Sequence, residues 1–229
     1  MKRLIIGIVL LSIILMACSS QGRKDDAKPG NTDAHKTHKK QGTNNNHKKK
    51  LKNGVTFIDG ILIVNKKIPL PSDYNPGVDN SARTALTKLL NNGNKEGLKL
   101  TITSGFRSYQ RQHTLFNNYV KKDGEKAANK YSAKPGSSEH QSGLSFDIGS
   151  TKTPQVNFST DFVKTKAGKW LKAHAHEYGF IIRYPKGKEG ITGYQYEPWH
   201  IRYVGKKHAK AVHKSHLTLE EYLGLYPGK

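Results

Sequence analysis

Leu4 to Ala17 is an almost unbroken apolar run, and Gln21 to about Lys52 is polar, with no apolar periodicity to drive folding. Structural patterning begins after Lys52. Val55-Thr56-Phe57-Ile58 and Ile61-Leu62-Ile63-Val64 flank Asp59-Gly60, which predicts a hairpin. Pro69, Pro71 and Pro76 then fix φ and remove donors, so residues 68–77 read as a surface loop. Asn80 or Ser81 can cap a helix with Leu86, Leu89 and Leu90 on its inner stripe and Gly93 as its stop. Leu98 to Thr103 reads as a strand, and Ser108 caps a second helix through Leu115, Phe116, Tyr119 and Val120. Glu125 to Ser132 predicts a short helix. From Leu144 the alternation places Leu144, Phe146 and Ile148 on one face, with Ser145 and Asp147 on the other. Asp161 to Tyr178 predicts one amphipathic helix stopped by Gly179, and Phe180 to Tyr184 a strand. Trp199, Ile201 and Tyr203 alternate with His200, Arg202 and Val204 in a last strand, and Thr218 caps a small packing helix. The whole predicts an α+β domain, a small central antiparallel sheet flanked by helices.

The N-terminus changes the picture. Met1-Lys2-Arg3 before the apolar run reads as a secretory signal, because the run is short for a membrane-spanning helix. It ends in Leu15-Met16-Ala17-Cys18, which resembles the lipobox of bacterial lipoproteins. Expected boundaries are therefore 1–17 for the signal, 18–52 for a lipidated Cys18 and a flexible basic tether, and 53–229 for the domain. Cys18 is the only cysteine, so the domain holds no disulfide and depends on its core. His35, His38 and His47 on the arm read as solvated. The formal net charge of +22 suggests attraction to anionic headgroups or wall polymers. Nucleic acid is not expected, since no stacking motif or helix-turn-helix accompanies the charge.

Two short stretches carry candidate chemistry: Ser137 to Asp147 and Glu197-Pro198-Trp199-His200. They offer two imidazoles and a carboxylate as metal ligands, plus a second carboxylate, Glu197, which is the equipment for a zinc-activated water. Gly143 lets a loop carrying His140 curl back toward Asp147 on the strand that follows. Pro198 biases Glu197 toward extended backbone, so Glu197 and His200 reach one ion from a loop and a strand rather than from one helical face. Arg107, where a strand meets a helix N-terminus, is placed either to grip a carboxylate or to make a surface salt bridge. Arg111 and Gln112 lie on different faces of that helix, so at most one shares Arg107's surroundings. His174 and His176 are two apart on a helix and cannot chelate one ion. His208, His213 and His216 read as surface residues.

Ser138-Glu139-His140-Gln141-Ser142-Gly143-Leu144-Ser145-Phe146-Asp147 resembles the SxHxxGxxxD signature of the VanY-like D-alanyl-D-alanine carboxypeptidases, zinc peptidases related to lysostaphin-like endopeptidases and the hedgehog zinc domain. Glu197 to His200 is similar to the family's ExxH motif, and Ser104 to Ser108 to its substrate-arginine segment. Leu70 to Gly77 and Tyr178 to Pro185 are similar too. The resemblance implies Zn2+ held by His140, Asp147 and His200, with the site on the central sheet. It implies Glu197 as general base and then proton donor to the leaving amine. Arg107 would hold the substrate's carboxylate or polarised carbonyl, and Ser138, with Gln112, would bind substrate. Ser145 stands where many relatives carry alanine, and its role is open.

The implied function is removal of C-terminal D-alanine from peptidoglycan stem peptides, with D,D-cleavage of pentapeptides favoured and L,D-cleavage of tetrapeptides as the alternative. A non-catalytic zinc-containing wall-binding lipoprotein is the reading from another class. Retention of Glu197 argues against it, because zinc binding alone does not need that carboxylate. The expected setting is a monomer anchored by its lipid on the outer side of the bacterial cytoplasmic membrane.

Overall fold

The computed structural model describes residues 46–226; the signal, Cys18 and most of the tether lie outside the described residues. Among the described residues, regular structure is present before the expected boundary at residue 53. β1 (Lys49–Lys52) pairs antiparallel with β2 (Val55–Ile58), which pairs with β3 (Ile61–Leu62), so the end of the expected tether is a sheet edge. All four β1 side chains are exposed, three of them lysines. Such a strand shows no hydrophobic signature, because only its backbone is used, and its lysines discourage further edge pairing. The hairpin turn is as expected, with Asp59 and Gly60 both at positive φ.

The main sheet has the order β4-β5-β7-β6, from β4 (Leu100–Ser104), β5 (Ser145–Ser150), β6 (Phe180–Tyr184) and β7 (Glu197–Tyr203), all neighbours antiparallel. Around it stand α1 (Asn80–Lys95), α2 (Tyr109–Asp123), α3 (Glu125–Tyr131), α4 (Lys166–His174), α5 (Glu189–Thr192), α6 (Lys206–Ser215) and α7 (Leu219–Tyr222). The expected α+β class with a small antiparallel sheet is what the structure has. One sheet face carries Phe146, Ile148, Trp199 and Ile201 against Leu86 and Leu89 of α1 and Trp170 and Leu171 of α4. A second core lies under α6 and α7, where Ile181 and Val204 meet Val212, Leu219 and Leu223. Each large side chain so buried contributes roughly 1.5–3 kcal/mol relative to exposure.

Several boundaries differ from expectation for physical reasons. Asp79, rather than Asn80 or Ser81, caps α1 by accepting from the Ala82 amide. Gly93 lies inside α1 and is no stop: a Cβ there would stand 2.4 Å from Leu100 Cδ1, so it marks a close helix–strand approach. The helix expected over 161–178 is three pieces, a 3-10 turn at Thr160–Lys164, then α4, then a 3-10 turn at Ala175–Tyr178. Thr165 is extended and caps α4 through the Gly168 amide, and a Cβ on Gly168 would lie 2.0 Å from the Phe162 carbonyl oxygen. Tight packing of the turn onto the helix thus overrides a continuous apolar stripe. Helix α6 has no counterpart in the sequence reading, which placed only the last small helix, the one Thr218 caps as expected.

Candidate metal centre

β5 and β7 pair with Asp147 opposite His200, so the two side chains leave the same sheet face side by side. Their neighbours Phe146, Trp199 and Ile201 go to the opposite, apolar face. His140 comes from a 3-10 turn, Glu139–Ser142, that precedes β5. Gly143 ends the turn at φ 72° and must be glycine, because a Cβ would lie 1.9 Å from the Gly77 carbonyl oxygen. The motif glycine therefore lets the His140 turn fold back over the strand bearing Asp147.

His140 Nε2 lies 3.3 Å from Asp147 Oδ2, and His200 Nδ1 lies 3.0 Å from Asp147 Oδ1. One ligand atom from each of the three residues falls within 4.8 Å of the others, and all three residues are buried. Ligands about 2.0–2.2 Å from a tetrahedral zinc stand roughly 3.3 Å from each other, so the two histidine–aspartate distances and the donor set fit a zinc ion. The His140 tautomer suits the role. Its Nδ1–H donates to the Gly105 carbonyl at 2.8 Å, which turns the Nε2 lone pair toward Asp147. Burial also holds the His140 imidazole below its ordinary pKa, against the pull of the Asp147 charge. Burial disfavours charge on His200 as well, but its hydrogen bond with Asp147 and the nearby Glu139 carboxylate push its pKa up to about 9. Asp147 would be raised by burial, yet the two histidines hold it well below the usual carboxylate range. His200 Nδ1 and Asp147 Oδ1 are in hydrogen-bond contact at 3.0 Å, so a cation held by both would take the place of the proton between them.

Glu197 is the first residue of β7, not of a loop as expected. Residues three apart on a regular strand face opposite ways, yet Glu197 Oε2 is 3.8 Å from His200 Nδ1. The pairing with β6 resolves this, since two steps from Ile182 to Tyr184 oppose four from Ile201 to Glu197. That bulge at Pro198-Trp199 turns Glu197 back to the face of His200. Burial raises the Glu197 carboxyl to about 7, with the Asp147 charge adding to burial and His200 opposing it. A carboxyl with that pKa suits proton transfer near neutrality.

A cavity of about 890 Å³ joins these groups, lined by Arg107, Ser138, His140, Asp147, Glu197 and His200 among others. Arg107 lies just beyond β4, as expected, and its backbone N–H donates to the His140 carbonyl at 3.2 Å. Its Nη2 donates to Ser104 Oγ and its Nη1 to Gln112 Oε1, both at 2.8 Å. Gln112 does not line the cavity. Only 1% exposed, it receives Arg107 on one side of its amide and donates to the Ala133 carbonyl at 2.6 Å with the other. Gln112 is thus corrected from substrate contact to an anchor of Arg107. Ser138 lines the cavity as expected.

Arg111 also lines the cavity while Gln112 bonds Arg107, so both share Arg107's surroundings where at most one was expected; sequence reasoning missed Tyr184, Tyr194 and the exposed Phe158 as cavity residues. No local pattern marks them, since they come from a strand and two loops. His174 pairs with Glu177, and His176 stacks on His213 at 3.7 Å. Among the described residues the sole cluster able to hold a metal is His140, Asp147 and His200.

An antiparallel sheet presenting two imidazoles, an aspartate, a nearby raised carboxyl and a buried guanidinium on one cavity is the architecture of a single-metal hydrolytic centre. The family described as VanY, D-alanyl-D-alanine carboxypeptidase, matches residues 75–206, which hold every one of these groups. The chain belongs to that family. The Bacillus subtilis protein YodJ is 43% identical over 181 residues, and the match covers 71% of this chain and 66% of YodJ, so the chain spans just under two thirds of that relative. The structure of the L,D-carboxypeptidase DacB from Streptococcus pneumoniae is 43% identical with a TM-score of 0.69, covering 80% of this chain and 98% of DacB. A vancomycin-resistance D,D-pentapeptidase, VanY, solved in complex with Zn(II), is 30% identical with a TM-score of 0.62, covering 70% of this chain and 97% of that one.

Proposed function

We propose that the chain is a zinc carboxypeptidase that removes C-terminal D-alanine from peptidoglycan stem peptides. The observation that carries the reading is the convergence on one cavity of the His140, Asp147 and His200 donors, the Glu197 carboxyl and the Arg107 guanidinium. Zinc, when bound, supplies a water acidic enough to ionise near neutral pH and a Lewis acid for the scissile carbonyl. Glu197 stands within reach of that position to take the water's proton and return it to the leaving amine. Arg107 is pre-set by Ser104 and Gln112, so its remaining N–H groups meet the substrate's negative end without reorganisation. A fixed cation at a cavity wall favours a chain terminus over an internal bond.

Of the two stem-peptide reactions, L,D-cleavage of the tetrapeptide is favoured by the higher identity and TM-score to an L,D-carboxypeptidase than to a D,D-pentapeptidase. D,D-cleavage of the pentapeptide, the expectation from sequence, is the alternative. Incubating the purified protein with both stem peptides and weighing the products distinguishes them: loss of one alanine from the tetrapeptide alone supports L,D, and loss from the pentapeptide alone supports D,D. Activity lost on chelation and restored by zinc supports the class. If neither peptide is shortened with zinc bound, a non-catalytic wall-binding protein becomes the better reading. Anchoring through a lipid on Cys18 on the outer face of the membrane, and attraction of wall polymers to the +22 chain, belong to the same proposal.

A further inference from the structure

Directly behind the metal centre lies a buried charge network that the chemistry above does not use. Glu139 Oε1 receives Arg183 Nε at 2.7 Å and Arg202 Nη1 at 2.6 Å. Arg183 continues to Glu220 of α7 with a two-pronged contact at 2.6 and 2.8 Å, and Arg202 donates to the Leu62 carbonyl of the N-terminal hairpin. All four charged side chains are fully enclosed. Ionic groups this deep are no better for stability than apolar residues of the same shape, so stability alone does not explain them.

The second oxygen of Glu139 is the informative one. Oε2 accepts from Ser145 Oγ at 3.0 Å and faces His200 Nε2 at 3.6 Å, just beyond hydrogen-bond reach. His200 Nε2 is itself fully buried and has no hydrogen-bond partner, although its ring's other nitrogen points into the metal site. A metal-ligating imidazole normally donates its far N–H to a carboxylate or carbonyl, which fixes ring orientation and tautomer. For His140 that acceptor is the Gly105 carbonyl. For His200 the group standing in that place is Glu139.

We propose that Glu139, clamped by Arg183 and Arg202, is the positioning residue that holds His200 with Nδ1 turned to the metal and Nε2–H turned to the carboxylate, and that Ser145 restrains this contact by sharing Oε2. This gives the serine of the SxHxxGxxxD stretch a role. Its hydroxyl competes with His200 for one oxygen, so alanine at that position leaves Oε2 to the imidazole alone. The inference rests on the metal-centre reading, and its test separates the two. Zinc binding to the unaltered chain, measured by competition with a chromophoric chelator, checks the metal reading; absence of binding overturns both.

Given binding, Glu139→Gln is expected to weaken zinc affinity about 10- to 100-fold, as loss of such an outer contact does elsewhere. In the zinc-loaded protein it also moves the His200 Nε2 proton upfield in nitrogen-resolved NMR. Ser145→Ala, which removes one hydroxyl and leaves the ion pairs intact, moves that proton in the opposite direction, downfield, and tightens zinc. A purely structural network would not produce shifts of opposite sign at one ring nitrogen. Should Glu139→Gln not fold, Ser145→Ala carries the test alone. Unchanged zinc affinity and an unmoved Nε2 proton in Ser145→Ala overturn the proposal.

Discussion

At Glu197 the protein holds a carboxyl near pKa 7 by enclosing it, and that has consequences for both catalysis and stability. Replacing it with alanine leaves the three ligand residues untouched, so the variant is expected to retain stoichiometric zinc in metal analysis while turnover falls about 100- to 10,000-fold, the range for loss of a general base. The stability consequence follows from the direction of the shift. A carboxyl whose folded pKa is raised from 4.5 to about 7 binds more protons folded than unfolded in that interval. The Glu197 contribution to the stability of the metal-free protein is therefore lost as pH rises through that window, and Glu197→Gln removes this component; comparing urea melts of the two proteins at several pH values checks it. Gln112 acts through Arg107. Cutting its amide back in Gln112→Ala leaves a buried guanidinium without one partner and is expected to lower kcat/KM about tenfold or more, on the basis of roughly 1.5–3 kcal/mol for a hydrogen bond to a charged group. Peptide-hydrolysis kinetics with normal zinc content would show that the loss lies with substrate.

Among the elements, the 3-10 turn from Glu139 to Ser142 does the most to assemble the site. It delivers His140 to the metal, Glu139 to the charge network and Gln141 to the proline-rich loop, where its amide donates to the Pro71 and Tyr74 carbonyls at 2.8 and 3.0 Å. Gly143 makes that turn possible, and its own carbonyl accepts from the Asp79 amide, the cap residue of α1. Gly143→Ala is expected to lose about 1–3 kcal/mol from left-handed strain, plus the clash with Gly77, seen as a lower denaturation midpoint. The bulge in β7 is the other device at this scale. From alternation alone Glu197 and His200 cannot share a strand face, and a helix would have been the obvious alternative. Pro198 biases Glu197 toward extended backbone but does not reveal that β6 and β7 pair with two extra residues between them.

For the molecule as a whole, residues 46–52 belong with the folded domain, since β1 completes the hairpin sheet whose Leu62 carbonyl is bound by Arg202. A chain starting at Asn46 is expected to hydrolyse soluble stem peptides like the full chain, whereas one starting at Asn53 loses β1 and melts at a lower temperature; thermal melts beside the peptide assay check both. The sequence by itself determined the α+β class, the hairpin at Asp59-Gly60 and the residue types of the metal centre. Those depend on local patterns: alternation, turn chemistry, and ligands a few residues apart in two motifs. It also located Arg107 at a strand end before a helix cap, and the resemblance, not the spacing, assigned it to the site. What only the tertiary structure decided were the pairings between distant segments. Asp147 faces His200 because β5 and β7 align in one register, and Gln112 turns from the substrate because it is fully enclosed beside Ala133. Glu139, Ser145, Arg183, Arg202 and Glu220 read singly as ordinary polar positions, and they become one buried network only when a turn, three strands and a C-terminal helix close on each other. Local sequence carries the preference of each residue for a backbone shape, while the partner that satisfies a buried charge is supplied by whichever distant segment packs against it.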